Sequence, residues 1–143
     1  MIKKDTSARL SVKQIKEKER AAKETALREM CEKFAIEKYT ENAIKTLSLK
    51  HKGLWYLPIL GEDENGNEVI EKLAIMMPIN REILSFASTK LQDDGLYSFL
   101  ESCMRECMVE GDVEIIEDDE YFIPAANKFN AILEGKKAAL VKR

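Results

Sequence analysis

The first third of the chain has a helical composition, and its apolar positions become denser toward the end. From about Ser11 to Leu49 it contains no Gly or Pro and is rich in Ala, Glu, Lys, Leu and Arg, which all favour helix. Apolar residues are sparse before Leu27, whereas from Leu27 to Phe34 several share one helical face. The pattern predicts a long helix, with a weak break at Thr40 and a second short helix after it. The first half of the long helix is too polar for a core, so it either projects into solvent or lies against another chain. A coiled coil stays open as the form of such a contact, although the a/d pattern does not persist for three heptads.

The pattern then changes from helical to extended. Residues 54–60 are aromatic and β-favouring, and residues 68–77 form a second stretch of the same kind. The turn between them contains Asn65-Gly66, a pair suited to positive φ. We therefore predict a β-hairpin. Pro58 lacks an N–H, so its strand should lie at a sheet edge or pair on one side only there.

Two helices are predicted after the hairpin. Asn80 can cap a helix over about 81–91, and Asp93 or Asp94 can cap the next one. That second helix carries a single apolar stripe at helical spacing. The stripe consists of Leu96, Phe99, Leu100, Cys103, Met104, Cys107 and Met108.

The end of the chain is predicted as a short extended piece and a final helix. Gly111 fits the position just past the striped helix, and residues 113–116 look extended. The last helix should run from about Pro124 to Leu140, with Pro in its first turn and Phe129, Ile132 and Leu133 facing inward. The predicted fold is mainly α, of the α+β class, with a long N-terminal helix, one β-hairpin and a small bundle of about three helices. We expect a charged helical arm over residues 1–50 and a hairpin-plus-helices domain over residues 51–143.

Composition and charge narrow the class of protein. With 45% hydrophobic and 34% charged residues, the 143-residue chain is not disordered throughout. No apolar run approaches the roughly 20 residues of a membrane span, so we expect no membrane association. Residues 1–50 carry 13 Lys and Arg against 8 Asp and Glu, whereas residues 51–143 carry 10 against 18. Such an asymmetry fits nucleic-acid contact, an acidic partner, or attraction between the two parts. The basic residues alternate with glutamates and lack an aromatic stacking set, which argues against nucleic acid.

No candidate catalytic or metal site meets its chemical requirements. Cys103 and Cys107 would need two further metal ligands, and His51 is the only histidine. We therefore interpret the three cysteines as reduced thiols and this pair as small buried hydrophobic residues. His51 has no orienting carboxylate or nucleophile in its local sequence. We expect a protein that is not an enzyme and that uses no metal or cofactor.

Two acidic segments also have structural explanations. A calcium loop starting at Asp63 would need Gly at its sixth position and Glu at its twelfth, where the chain has Glu68 and Ala74. A hairpin turn is the better interpretation. The acidic residues between positions 110 and 120 are predicted to form a solvated face of the protein. The alternative is a docking surface for a basic partner.

The hairpin is the strongest candidate for a protein-binding surface. Two strands cannot bury both of their faces alone, so one face should meet the helices while the other can meet a second protein, for instance by strand addition. The candidate protein-binding residues lie in the hairpin, the striped helix and the first helix. They are Trp55, Tyr56, Ile59, Ile75, Met77, Phe99, Met104, Leu27 and Phe34.

Several short segments of residues 53–143 also resemble one family. The first is a hairpin with an acidic turn that contains Gly, followed by a strand end with the sequence Pro-Ile-Asn-Arg-Glu. A helix of small residues comes next, and then a helix that carries Cys and ends in an acidic Gly-Asp. The last segment is acidic and aromatic and begins the final helix. The segments are Met77-Pro78-Ile79-Asn80-Arg81-Glu82, Ser85-Phe86-Ala87-Ser88, Glu110-Gly111-Asp112, Asp118-Asp119-Glu120-Tyr121-Phe122 and Ala125-Ala126. Over about two-thirds of its length, the chain resembles tail assembly chaperones of tailed bacteriophages.

This resemblance implies a non-enzymatic phage assembly factor or a small virion component. Proteins of this type bind other phage structural proteins, such as the tape measure or tail tube, in the cytoplasm of the infected host. The charged helix of residues 1–50 departs from the family pattern, so a transient chaperone and a component retained in the virion both stay open, as does a homo-oligomer. The alternative is a small nucleic-acid-binding regulator that uses the basic first helix, with residues 113–122 as a wing-like hairpin.

Overall fold

In the computed structural model, a three-stranded antiparallel sheet lies between two layers of helices. The structure describes residues 11–133 and 139–143. The elements are α1 (Val12–Tyr39), α2 (Glu41–His51), β1 (Trp55–Glu62), β2 (Glu68–Met76), α3 (Arg81–Asp94), α4 (Leu96–Cys107), β3 (Met108–Gly111), α5 (Glu114–Glu117) and α6 (Asp119–Leu133). Helix makes up 66% of the described residues, which confirms the mainly helical α+β class. The predicted details differ: in the described part of the chain the sheet has three strands, and four helices instead of about three follow the hairpin.

The first two helices meet at a corner that the sequence predicted. Ser11 and Gln14 form a capping box at the start of α1, in which each side chain accepts a hydrogen bond from the other residue's backbone N–H. The helix stops at Thr40, because a φ of 79° lies outside the right-handed helical region. The Thr40 hydroxyl then accepts the N–H of Ala43 and caps α2. The predicted break at Thr40 and the short helix after it are confirmed.

The hairpin is present and is extended by a third strand. The sheet order is β1-β2-β3, and β1 pairs with β2 from Trp55 opposite Met76 to Glu62 opposite Glu68. Pro58 therefore lies in an edge strand, as predicted. In the turn, the Asp63 carboxylate accepts the backbone N–H groups of Asn65 and Asn67, at 2.9 Å each. The segment that starts at Asp63 is thus a hydrogen-bonded hairpin turn, as predicted.

The prediction was wrong for the segment between α4 and α6. The striped helix ends at Cys107, and β3 pairs with β2 instead of leading into a helix cap at Gly111. Gly111 has φ of 133°, and a Cβ there would lie 2.5 Å from the carbonyl oxygen of Leu73. A side chain could not fit, because this glycine allows the close approach of β3 to β2. A strand of four residues depends on a partner remote in sequence, which local periodicity does not reveal.

The helices around β3 also differ from the prediction. Residues 114–117 form the helical turn α5, so the expected extended piece and wing-like hairpin are absent from this part of the structure. Helix α6 begins at Asp119, because Asp118 accepts the N–H of Glu120, and Pro124 consequently lies inside the helix. The helix is described to Leu133; residues 134–138 lie outside the described residues, and the chain beyond them is not helical. Helix α4 is capped by Gly95 without any side-chain bond from Asp93 or Asp94.

The sheet separates two apolar clusters, and every helix packs on one side or the other. The larger cluster, here called the main core, joins one face of the sheet to α3, α4, α5 and α6. Its buried members are Leu57, Ala74, Met76, Ile83, Ala87, Leu100, Cys103, Met104, Cys107, Ile115, Ile116, Phe122, Ala125, Ala126 and Phe129. Ile132 and Leu133 pack against it, so the inward face predicted for the last helix is confirmed.

The smaller cluster, here called the second core, attaches α1 and α2 to the opposite face. It contains Cys31, Ala35, Ile44, Leu73 and Ile75, with Leu27, Phe34, Tyr39, Leu54, Tyr56, Ile70 and Val109 partly buried around it. Only the later part of α1 takes part in it. Every residue from Ser11 to Ala26 is exposed. We call residues 12–26 the projecting segment.

A polar clamp at Asp112 connects α1 to strand β2. The Asp112 carboxylate accepts the N–H of Leu73 at 2.9 Å, and the Asp112 N–H donates to the Leu73 carbonyl at 2.9 Å. The other carboxylate oxygen pairs with the Lys38 ammonium of α1. Burial raises the pKa of Asp112, but the hydrogen bonds from Lys38 and from the Leu73 N–H outweigh burial and leave its pKa below the usual range.

We predict that the clamp makes stability depend on pH at the acid end. Because the folded pKa of Asp112 lies below its unfolded value of 3.8, its stabilisation is present above that value and is lost as the pH falls through the folded pKa. Asp112→Asn should lower the free energy of unfolding at neutral pH by about 1–2 kcal/mol, toward the lower end because Lys38 is half exposed. Urea unfolding from about pH 7 to pH 2 measures both effects. Asp93→Asn is the control, and equal acid sensitivity of Asp112→Asn and the unmodified protein would contradict the prediction.

Candidate functional site

An apolar cleft of about 850 Å³ opens along the free edge of β1. One wall is α1, the other wall is α6, and the floor is the strand. The lining includes Glu24, Leu27, Arg28 and Cys31 from α1, residues 55–60 of β1, Glu71 of β2, and Glu120, Tyr121, Pro124, Ala125, Lys128, Ala131 and Ile132 from α6. Its volume is within the range of ligand-binding clefts.

The cleft follows from the layer order of the fold. Helices cover both faces of the sheet, but β1 is an edge strand, and no element described here pairs with its outer side. The side chains at this edge are apolar. Trp55 is 52% exposed and Leu60 is 40% exposed, while Tyr56, Pro58 and Ile59 are half-buried. Folded proteins usually protect such an edge with charge or cover it, so an exposed apolar edge indicates a contact surface.

The hydrogen-bonding direction of the strand limits what can bind there. Leu73 uses both its N–H and its carbonyl toward Asp112, on the side away from β1. Its partner across the hairpin is Pro58, so these two residues do not bond to each other and the backbone of Pro58 faces the free edge. Proline has no N–H, and an added strand would therefore lack a donor in the middle of the edge. Side-chain packing suits this cleft better than strand addition.

A hydrogen bond between β1 and α1 holds the α1 wall of the cleft in place. The Tyr56 hydroxyl donates to a Glu32 carboxylate oxygen at 2.5 Å. Burial raises the pKa of Tyr56, and the hydrogen bond to Glu32 and its charge raise it further. The phenol therefore stays protonated as a donor across the physiological range, and it ties β1 to α1.

Cys31 supplies an apolar patch at the base of this wall. Its side chain is buried, and burial together with the nearby Glu32 raises its pKa to about 11. Cys103 and Cys107 lie in the main core, where burial raises both pKa values, that of Cys107 to about 12. All three thiols are free and buried. This confirms the interpretation of the cysteine pair as small hydrophobic residues.

We predict slow thiol chemistry in the native protein. A thiol with a raised pKa is almost entirely protonated at pH 7, and the thiolate is the reactive form. Ellman's reagent should therefore modify the three cysteines much more slowly in buffer than in urea, where all three become accessible. The absorbance of the released dye measures both rates. Fast stoichiometric labelling of the folded protein would contradict the assigned burial.

The structure brings only some of the predicted contact residues together. Trp55, Tyr56, Ile59 and Leu27 meet in the cleft. Phe34 lies in the second core. The remaining candidates belong to the interior: Met77 and Phe99 pack half-buried against the main core, and Ile75 and Met104 are completely buried. Ile75 and Met104 have no surface for a partner because each is enclosed by a helical layer and the sheet.

Sequence reasoning missed the α6 wall. Tyr121 and Pro124 contribute to the cleft because α6 starts five residues before the predicted position at Pro124. The Asp118 cap was the available signal for the earlier start, since Asp is a strong N-terminal capping residue. The position of α6 opposite α1 depends on the sheet between them, and no local pattern contains it.

The acidic run has structural partners at several positions. Asp112 pairs with Lys38, Glu114 lies 4.0 Å from the Lys72 ammonium, and Asp118 caps α6. His51 lies half-buried at the end of α2. Within residues 11–133 and 139–143, no three His, Cys, Asp or Glu side chains come together as a metal site. Over the same residues, no helix is long and apolar enough to cross a membrane.

Comparisons with known proteins found no relative of this chain. No family model, curated protein or solved structure matches the chain.

Proposed function

We propose that this protein is a non-enzymatic bacteriophage assembly factor or small virion component that binds an apolar segment of another phage structural protein in its cleft. The observation that carries the proposal is the exposed apolar edge of β1 between two helical walls, with Trp55 at its mouth. In the single chain this edge is exposed. A partner that covers it would gain the burial of several large apolar side chains.

The polar groups of the cleft fit a protein partner better than a small substrate. Its charged residues are all exposed and surround an apolar centre; they are Glu24, Arg28, Glu71, Glu120 and Lys128. An apolar centre with a polar rim is the usual arrangement of a protein interface. Small-molecule sites instead direct a few polar groups inward. Among the described residues, no buried side-chain nitrogen or oxygen lacks a hydrogen-bond partner that a small ligand could supply.

The shape of the cleft favours a helical segment. Two helices and a strand edge form a groove, and an amphipathic helix can place its apolar face in such a groove. The missing donor at Pro58 makes an extended segment the weaker candidate. The partner segment should therefore present large apolar side chains at spacings of three and four residues.

The phage context comes from the resemblance to tail assembly chaperones. The segments that carry it lie at junctions of the fold: Asn80 caps α3, Gly111 and Asp112 join β3 to β2, and Asp118 caps α6. By that resemblance the partners are phage structural proteins such as the tape measure or tail tube. The protein would act in the host cytoplasm, as a transient chaperone or as a component retained in the particle.

The nucleic-acid alternative loses one of its two parts, because residues 114–117 are helical where it needed a wing-like hairpin. Its other part, the basic projecting segment, is fully exposed. Binding to phosphates should weaken steeply with salt. A labelled DNA duplex that fails to bind at low salt would eliminate this alternative.

We predict that a change at Trp55 selectively weakens partner binding. Trp55→Ala removes the largest exposed apolar side chain of the cleft and should raise the Kd for the phage partner by about tenfold or more. The structural proteins of the same genome can be expressed singly and titrated against the unmodified protein and the variant by calorimetry.

Phe86→Ala is the matched control, since Phe86 is an exposed aromatic on α3 outside the cleft. It should leave the Kd unchanged. Failure to bind every structural protein of the genome would refute the proposal, and equal effects of the two substitutions would refute the cleft as its site.

A further inference from the structure

The projecting segment is an ordered helix that contributes nothing to the core of its own chain. Its residues are all exposed, although a capping box stabilises its start. An isolated helix of about 15 residues is marginal in water even when its sequence favours helix. A helix of this kind gains stability when it packs against another surface.

The apolar and basic residues of the segment provide two means of contact. Val12 is 69% exposed and Ile15 is 43% exposed, and Ala22 and Ala26 fall on the same side at helical spacing. The basic residues of the segment outnumber its acidic ones. They are Lys13, Lys16, Lys18, Arg20 and Lys23, against Glu17, Glu19 and Glu24.

The complementary charge lies on the body of the same protein. Residues 51–143 carry 18 acidic against 10 basic side chains. The segment does not satisfy this attraction within its own chain, because all of its residues are exposed and it extends α1 beyond the second core. A second copy offers the same acidic body and the same open cleft.

Because the projecting segment and one wall of the cleft belong to the same helix, α1, the segment of one copy can reach the cleft of a second copy. The α1 wall of the cleft, Glu24 to Cys31, begins within the last turn of the projecting segment and continues it along the same helix. When two α1 helices lie antiparallel about a two-fold axis, the projecting segment of each passes beside the cleft wall of the other. Fifteen helical residues extend about 22 Å, which is long enough to pass along that wall. The contact is reciprocal, so both clefts are covered at once, as closed symmetry requires.

We infer that the free protein is a two-fold dimer in which the projecting segment of each copy covers the cleft of the other. The apolar side of the segment lies on Trp55 and Leu60, and its basic residues face the acidic body. This inference rests on the proposed function in one respect: the same cleft takes the phage partner. The segment then acts as a competitor that keeps the apolar edge covered until the partner displaces it.

The test combines molar mass with the fluorescence of Trp55, the only tryptophan of the chain. Light scattering coupled to gel filtration should give twice the 16.4 kDa chain mass at high protein concentration. Dilution should shift the Trp55 emission to the red and raise its quenching by acrylamide, because dissociation exposes the indole. Salt should promote dissociation, since opposite charges hold part of the contact.

Val12→Gln/Ile15→Gln tests the segment itself. These neutral changes leave the Ser11–Gln14 capping box intact and remove the apolar contact twice per dimer. The dimer Kd should rise by at least about a hundredfold. Leu49→Gln is the control, because Leu49 is 84% exposed on α2 and does not line the cleft. It should leave both the mass and the fluorescence unchanged.

The outcomes separate this inference from the proposed function. A monomer at all concentrations, a dimer that survives Val12→Gln/Ile15→Gln, or a dimer in which Trp55 is as quenchable as in the monomer overturns the inference. None of these measurements contains a phage partner, so a dimer that behaves as expected but binds no phage protein defeats only the proposed function. If both hold, Val12→Gln/Ile15→Gln should bind the phage partner more tightly than the unmodified protein.

Discussion

The burial of strand β2 on both faces is the constraint on which the rest of this structure depends. Leu73, Ala74, Ile75 and Met76 are consecutive, and all four are buried. Consecutive residues of a strand point to opposite faces, so a continuous buried run requires a covering layer on each side of the sheet. Helices α3, α4, α5 and α6 supply one layer, and α1 with α2 supplies the other. The later part of α1 is therefore a covering layer of the sheet. The first half of α1 covers no part of the sheet and projects.

The same arrangement produces the cleft. Covering β2 on both faces and pairing it on both sides leaves β1 at the edge, where its apolar side chains lie between the ends of two helical layers. Two polar contacts then hold the α1 layer in place: Lys38 pairs with Asp112, and Tyr56 donates to Glu32. An apolar edge that stays open adds nothing to the stability of the single chain, and this supports the proposal that the edge serves for binding.

Local patterns were sufficient for elements that are stabilised within themselves. The break at Thr40, the turn at Asn65-Gly66, the cap at Asn80 and the apolar stripe of α4 all depend on neighbours within a few residues, and the structure contains each of them. The β1 half of the candidate site was accessible in the same way, because Trp55, Tyr56 and Ile59 make the strand conspicuously apolar. Strand β3 was not predicted, since a four-residue strand exists only through its pairing with β2. The start of α6 was placed too late, although its cap at Asp118 is a local signal.

The sequence by itself determined the α+β class, the hairpin, the polar character of the first half of α1 and the charge asymmetry between the two parts of the chain. Each of these follows from residue type and short-range spacing, which the chain carries with it before folding. Only the tertiary structure decided which apolar residues became core and which formed a surface. Ile75 and Trp55 look equally suited to either role in the sequence, but Ile75 lies on the central strand under a helix and Trp55 lies at an uncovered edge. Burial is a property of the packed layers, and it is set by contacts between elements far apart in the chain.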